Sequence, residues 1–218
     1  MRKLQIVSLA IVALSFIVAF YSLPLLPERV ASHWDFEGKV NGYMAREAGA
    51  LFMPVLSLAL LALFYILPKI DPKEKEYAKF QDEYDGMVAS LLGFLFYVYI
   101  LSLAANFGIQ FNMTQALAPA FFVLFFYFGT MVEKARQNWF VGIRTPWTMS
   151  SERVWEKTHR ACGKLIKAAG CLALLGIAFP ALGLAASVAV LLFTAVFGFA
   201  YSYWEYRKEK KGGKKARR

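Results

Sequence analysis

Long segments without charged side chains are the feature that most constrains the fold of this chain. The 37 residues from 168 to 204 carry no charge, and four shorter apolar segments precede them. An α-helix needs about 20 apolar residues to cross the hydrocarbon core of a bilayer. The four shorter segments cover residues 4–26, 48–67, 86–106 and 117–132. The sequence therefore predicts a membrane protein and leaves no separate soluble domain.

The last apolar segment is too long for one helix in a bilayer of ordinary thickness. Pro180 lacks a backbone N–H and interrupts a helix, and Gly183 follows it, so we expect a hairpin of two helices there. This gives an all-α fold with six transmembrane helices. We divide the chain into an N-terminal three-span region, 1–116, a C-terminal three-span region, 117–206, and a basic tail, 207–218.

Lysine and arginine residues predict the orientation in the membrane, because these residues concentrate in cytoplasmic loops. With both termini in the cytoplasm, 22 of the 25 basic residues lie inside and 3 lie outside. The loop at 27–47 is then extracellular and the loop at 133–162 is cytoplasmic. We expect a multi-pass protein of the plasma membrane whose cytoplasmic face attracts anionic lipid. The tail is predicted to anchor the chain at that face, without direct contact to nucleic acid.

Two observations argue against several function classes. The predicted spans carry no ionisable residue near their middle, whereas ion-coupled pumps and transporters usually need such groups. Cys162 and Cys171 are nine residues apart on one predicted helix, which corresponds to about 13 Å and is too far for a disulfide. No cofactor, metal-binding residue, catalytic residue or enzymatic activity is therefore predicted.

The extracellular loop alternates polar and aromatic residues. In an extended segment His33, Asp35 and Glu37 share one side, while Trp34 and Phe36 take the other. Glycine and asparagine turn signals follow, so we expect an ordered hairpin. Three interpretations stay open for the polar side chains: a docking face for an extracellular peptide, a divalent metal site, or carboxylates that bond their own backbone and pair with nearby cations.

The cytoplasmic loop combines aromatic and basic side chains. Trp139 and Trp147 lie among arginines, a pattern that favours the headgroup region. Gly142 and Pro146 prevent a continuous helix. The basic residues here either set the topology alone or bind anionic lipid, an acidic protein or a phosphate-bearing ligand.

A helix is predicted to begin after Ser150 or Ser151, because either hydroxyl can cap it. Residues at spacings of three and four share one of its faces, and they are Trp155, His159, Cys162 and Ile166. Two interpretations are open for His159, since a histidine at a membrane boundary either relays protons or packs with both nitrogens hydrogen-bonded.

The two loops together carry a resemblance to a known family. Residues 138–148 read NWFVGIRTPWT and are followed by Trp155, His159 and Gly163. This pattern resembles the SdpI family, membrane immunity proteins against a secreted sporulation-delaying toxin. Residues 26–43 resemble the small domain of unknown function that precedes the SdpI region in many members.

The resemblance implies resistance to a membrane-active toxic peptide and, as in the type system, capture of a transcriptional repressor at the membrane. Two alternatives are a transporter or flippase of an amphiphilic or phosphate-bearing substrate, and a membrane-bound metal-dependent enzyme that uses the polar side chains of the outer loop. We expect ligand or partner binding at twelve positions: His33, Asp35, Glu37, Asn138, Trp139, Gly142, Arg144, Thr145, Pro146, Trp147, Trp155 and His159.

Overall fold

The computed structural model describes the backbone of residues 2–215 and the side chains as far as residue 212. Eight α-helices and one antiparallel strand pair make up the described part of the chain. The helices are α1 Lys3–Ser22, α2 Arg46–Ile70, α3 Glu74–Tyr77, α4 Gln81–Asn106, α5 Met113–Lys134, α6 Pro146–Ser150, α7 Glu152–Ala173 and α8 Pro180–Lys215. The strands are β1 Arg29–Trp34 and β2 Val40–Ala45.

Five of these helices, α1, α2, α4, α5 and α8, are long and apolar enough to cross a bilayer. The predicted helical membrane protein is thereby confirmed, whereas the count of six spans and the orientation of the termini stay predictions. The sixth long helix, α7, is amphipathic because its basic residues recur at spacings of three and four and share one face. Its five basic residues are Arg153, Lys157, Arg160, Lys164 and Lys167.

The predicted break in the last apolar segment is confirmed. Helix α7 ends at Ala173, a short 3-10 turn follows, and α8 begins at Pro180. Helix α8 continues without interruption as far as Lys215, so the first part of the predicted basic tail extends this helix. Residues 216–218 of that tail lie outside the described residues.

Helices α5 and α7 approach each other closely because glycines face each other across the contact. A Cβ atom added to Gly163 would lie 2.5 Å from the carbonyl oxygen of Gly129, which is a steric clash. Small residues allow such backbone contact between membrane helices. An ion pair between Lys167 Nζ and Glu133 Oε2, 2.6 Å long, joins the same two helices. The C-terminal helices therefore form a tightly packed unit.

The predicted outer hairpin is confirmed, and hydrogen bonds connect it to the helices beneath it. Gly38 takes a φ of +82° in its turn, a conformation that glycine adopts without strain. The backbone N–H of Ala31 donates to Asn106 Oδ1 at the end of α4, at 2.7 Å. Asn112 Nδ2, just before α5, donates to the carbonyl oxygen of Glu37 at 2.7 Å.

The predicted orientation can be tested by labelling single cysteines in a chain that lacks Cys162 and Cys171. Lys39 in the hairpin and Ser150 at the end of α6 are both exposed. A membrane-impermeant thiol reagent added to intact cells should label Lys39→Cys and leave Ser150→Cys unlabelled, because the basic loops stay inside. The reverse result would show the opposite orientation.

Candidate functional site

The twelve predicted site residues fall into two groups at opposite ends of the helices. His33, Asp35 and Glu37 lie in the hairpin, which directly precedes α2. The other nine lie between the end of α5 and the first half of α7, next to α3 at the far end of α2. The structure does not bring the two groups together, so they form two separate candidate sites.

A cavity of about 520 Å³ lies at one end of the helices and another of about 470 Å³ at the other end, where the smaller one lies beneath the hairpin. We call the smaller one the hairpin cavity. It is lined by β1, β2 and the adjoining parts of α2, α4 and α5. Ligand sites commonly have volumes of 300–1,000 Å³ and apolar walls with a few polar groups. The apolar side chains of its wall include Trp34, Phe36, Met44, Phe52, Met53, Val98, Met113, Leu117 and Phe121, and its polar ones include His33, Asp35, Asn41 and Thr114.

Bonds within the hairpin itself engage its three candidate residues. Asp35 Oδ1 accepts the backbone N–H groups of Glu37 and Lys39, both at 2.9 Å. Glu37 Oε2 pairs with Lys39 Nζ at 2.7 Å, which raises the pKa of the lysine. His33 Nδ1 is bonded to Asn41 Oδ1. These contacts fix the turn and leave His33 and Asp35 in the cavity wall.

The hypothesis of a metal-dependent enzyme rests on these same side chains. Within residues 2–215, no three histidine, cysteine, aspartate or glutamate side chains stand close enough together to hold a metal ion. The side chains of the hairpin that were candidate ligands are bonded to its turn instead. The described part of the chain thus offers that hypothesis no ligand set.

At the other end, Asn138 organises the loop that follows α5. Its side chain is fully buried, and it accepts hydrogen bonds through Oδ1 from Val141 N at 2.6 Å, Phe140 N at 3.0 Å and the Tyr77 hydroxyl at 3.2 Å. Its Nδ2 donates to the carbonyl oxygens of Arg136 and Val141, both at 2.9 Å. A buried amide with every bond made stabilises one loop conformation.

Asp71 ties the same loop to the end of α2, and the sequence analysis missed it. Its Oδ2 accepts the backbone N–H of Trp139 at 2.9 Å, and it shares the single hydroxyl hydrogen of Tyr77, at 3.2 Å, with Asn138 Oδ1. Burial and the neighbouring Asp71 raise the pKa of Tyr77, so its hydroxyl stays protonated and donates. Lys73 Nζ is bonded to Gln137 Oε1 beside them. The one sequence signal for Asp71 is an acid directly before a proline at the end of an apolar segment.

His159 packs within the first half of α7, where Ser151 caps the helix as predicted. Its ring stacks on that of Trp155, with centroids 3.9 Å apart. Because Ile143 N donates to Nε2 at 2.9 Å, the proton lies on Nδ1, which donates to the carbonyl oxygen of Trp155 at 2.9 Å. Burial lowers the pKa of His159 to about 4. The ring is therefore neutral near pH 7. Both nitrogens form structural hydrogen bonds, which favours the packing role over proton relay.

Gly142 permits this arrangement. Its φ is +114°, and a Cβ atom in its place would lie 2.4 Å from His159 Nε2. Glycine is the residue that adopts such a φ readily, and here it also leaves room for the imidazole ring. The glycine of the motif is thus explained by the histidine that lies 17 positions later in the sequence.

The short helix α6 starts with Thr145, Pro146 and Trp147. Thr145 and Trp147 also connect it to α8. Thr145 Oγ1 accepts the N–H of Thr148 at 3.2 Å, and Pro146 takes the first helical position, where its missing N–H costs nothing. The Thr145 hydroxyl also donates to Ser202 Oγ at 2.9 Å. The Trp147 ring packs edge-on against Phe199 and tilted against Tyr203, two rings of α8 with centroids 5.0 and 4.9 Å away.

Three of the nine candidate residues at this end face outward. Trp139, Arg144 and Pro146 are exposed, and we call them the loop surface. Arg144 Nη1 donates to the carbonyl oxygen of Trp139 at 2.5 Å, which holds the guanidinium at the backbone of Trp139. The loop surface is the part of the motif that remains available to a partner.

Comparison with known proteins bears on both sites. Residues 134–202 match the SdpI/YfhL protein family, and residues 10–58 match a domain of unknown function, DUF1648. The chain is 24% identical over 210 residues to Immunity protein SdpI of Bacillus subtilis (strain 168). The alignment covers 94% of this chain and 97% of that protein. No solved structure matches significantly. The resemblance seen in the loop motifs is confirmed: one region of the chain matches the SdpI/YfhL family, and a region before it matches DUF1648.

Proposed function

We propose that this chain is an immunity protein of the plasma membrane that gives resistance to a membrane-active toxic peptide. The hairpin cavity carries the proposal, since it offers a mainly apolar cleft next to the ends of three helices. The relative named Immunity protein SdpI, which aligns over nearly the whole chain, supports the same function.

The wall of the hairpin cavity suits an amphiphilic peptide. Met44, Met53 and Met113 supply flexible side chains that adapt to irregular apolar shapes. His33 and Asp35 add polar atoms at the hairpin side of the cavity. A peptide that already partitions into the membrane surface can insert apolar side chains between α2, α4 and α5, and it can bond to the hairpin with its polar groups. Binding there would keep the peptide from disrupting the bilayer.

Filling the hairpin cavity tests this proposal. Leu117→Trp adds an indole ring to the cavity wall, so we expect peptide affinity to fall by about tenfold or more, equivalent to about 1.4 kcal/mol. Cells that express the variant should lose protection against a dilution series of the sporulation-delaying toxin. Leu192→Trp is the matched control, because Leu192 is 65% exposed on α8, outside the cavity.

Protein abundance is measured by immunoblot in both strains. Full protection by Leu117→Trp at wild-type abundance would contradict the proposed binding site. Translocation of the toxin by purified protein in liposomes would favour the transporter or flippase alternative over immunity by binding.

A second activity, capture of a cytoplasmic repressor, is favoured by the loop surface. Internal bonds from Asn138 and Asp71 hold the loop in one conformation, so a partner does not have to order it on binding. Tryptophan and arginine, both exposed on the loop surface, are enriched among the residues that contribute most to protein interfaces. We propose that this surface contacts an acidic partner, on the predicted cytoplasmic side.

Arg144→Lys tests that contact. Lysine keeps the charge but loses the planar set of donors and the bond to the carbonyl oxygen of Trp139. We expect toxin-induced recruitment of a fluorescently tagged repressor to fall by about tenfold, the usual scale of one charge-assisted bond, with abundance unchanged. Arg160→Lys is the control, since Arg160 is exposed on α7 away from the loop surface. Equal loss in both variants, or none in Arg144→Lys, would argue against the contact.

A further inference from the structure

The larger cavity, of about 520 Å³, lies at the other end of the helices and is independent of the proposed immunity function. It is enclosed by the start of α1, the end of α2, α3 and the start of α4. Three candidate membrane spans therefore end at this cavity, which places it at the depth of the lipid headgroups on whichever side of the membrane it lies. We call it the headgroup cavity.

Asp85 places an unsatisfied carboxylate oxygen at this cavity. The residue is 6% exposed, and its Oδ1 accepts a bond from Gln81 Nε2 at 2.9 Å. Its Oδ2 is buried and has no hydrogen-bond partner among the described residues. The one cationic atom within 4 Å in that part of the chain is Arg2 Nη1, at 3.9 Å, which is beyond hydrogen-bond distance. Buried carboxylates normally have their bonds made, so this oxygen indicates a donor from outside the chain.

The Tyr65 hydroxyl is a second buried polar atom at this cavity that lacks a hydrogen-bond partner in the part of the chain that is described. It also lies in the cavity wall, is buried, and has no hydrogen-bond partner in the described structure. A phenol hydroxyl both accepts and donates. One ammonium group with several N–H donors can satisfy both oxygens at once.

The cavity rim carries basic side chains that suit an anionic group. Lys69 and Lys75 line it, and neither forms an ion pair with another described residue. Arg2, which pairs with Asp82 at 3.5 Å, adds a third cation, and Glu74 is an acid beside them in the lining. These cations and Asp85 line the same cavity, so one ligand in it can contact both. The cavity thus pairs a site for an ammonium with a site for a phosphate.

We propose that the headgroup cavity binds an ethanolamine phospholipid, with the ammonium at Asp85 and Tyr65 and the phosphate at the basic rim. Phe64 and Pro68 form an apolar part of the wall, along which the start of the acyl chains can lie. A choline headgroup carries no N–H donor and cannot make the bonds to Asp85. A glycerol headgroup lacks the positive charge.

The test uses purified, delipidated full-length protein in detergent, titrated with short-chain phosphatidylethanolamine, phosphatidylcholine and phosphatidylglycerol by native mass spectrometry. The ethanolamine lipid should bind about tenfold more tightly than the other two, because charge-assisted bonds to a buried carboxylate are strong. Equal affinity for the ethanolamine and choline lipids would overturn the proposal. Soluble phosphoethanolamine should bind more weakly than the lipid, and equal affinity would overturn the assignment to a lipid.

Variants then locate the site. Asp85→Asn should remove the preference for ethanolamine over choline, and Tyr65→Phe should reduce it by about threefold, because the ammonium loses its uncharged acceptor and keeps the carboxylate. Glu83→Gln is the control, since this acid lies on the same turn of α4 outside the cavity wall, and it should bind as the wild type does. If Asp85→Asn fails to accumulate, Tyr65→Phe and the wild-type series decide. A full preference retained in the variants that fold would overturn the proposal.

Discussion

Replacing Gly142 with alanine is expected to lower the free energy of unfolding by about 4 kcal/mol. The φ of +114° costs an alanine about 1–3 kcal/mol. The new methyl group would lie 2.4 Å from His159 Nε2, so the ring must move and the bond from Ile143 N is lost. Losing a buried hydrogen bond adds about 1–3 kcal/mol. In a chain of this size the melting temperature in detergent should fall by roughly 10 °C.

Gly108→Ala is the matched control for this prediction. Gly108 also has a positive φ, +87°, but nothing lies within 4 Å of the position that its Cβ would occupy. This variant pays the conformational cost alone, about 1–2 kcal/mol, and should melt only a few degrees below the wild type. Equal losses in the two variants would mean that the contact with His159 contributes nothing.

Asn138→Asp is the second substitution for which we expect a large loss, about 3–5 kcal/mol of unfolding free energy. The two side chains have nearly the same shape, but an oxygen replaces the Nδ2 donor. That oxygen would face the carbonyl oxygens of Arg136 and Val141 across 2.9 Å, in a site without exposure to solvent. Repulsion between acceptors and the buried charge both oppose folding.

The melting temperature of Asn138→Asp, compared with that of Asn112→Asp, measures this effect. Asn112 caps α5 by accepting from Gln115 N at 2.9 Å, and aspartate fills that position equally well. The control loses only its exposed bond to the carbonyl oxygen of Glu37, so we expect a change below about 1 kcal/mol. A variant at position 138 as stable as this control would contradict the role assigned to Asn138.

The apolar helices could be predicted from the sequence because a bilayer demands a minimum length of uncharged chain. Segments 48–67 and 86–106 correspond to α2 and α4, and Pro180 starts a new helix as expected. The hairpin was predictable for a similar local reason, since Gly38 and its neighbours favour a turn. In each case the structure follows from the residue types within one continuous stretch of sequence.

The roles of the motif residues could not be predicted, because they depend on contacts between distant parts of the chain. Tyr77 reaches Asn138 over 61 positions, and Asp71 reaches Trp139 over 68. An irregular loop has no periodicity to show which side chains face inward. Asn138 and His159 were candidates for partner binding, and the structure places them in the interior, while Arg144 stays outside.

Helix α2 is one continuous helix that connects the two candidate sites. It begins at Arg46, directly after β2, and ends at Ile70, next to the Asp71 carboxylate that accepts Trp139 N. Its 25 residues span about 37 Å, and no flexible linker separates it from the hairpin or from the loop. We expect a peptide bound against Phe52 to tilt the hairpin end of this helix and to displace Asp71 at the far end. Such a displacement would change the bond between Asp71 and Trp139.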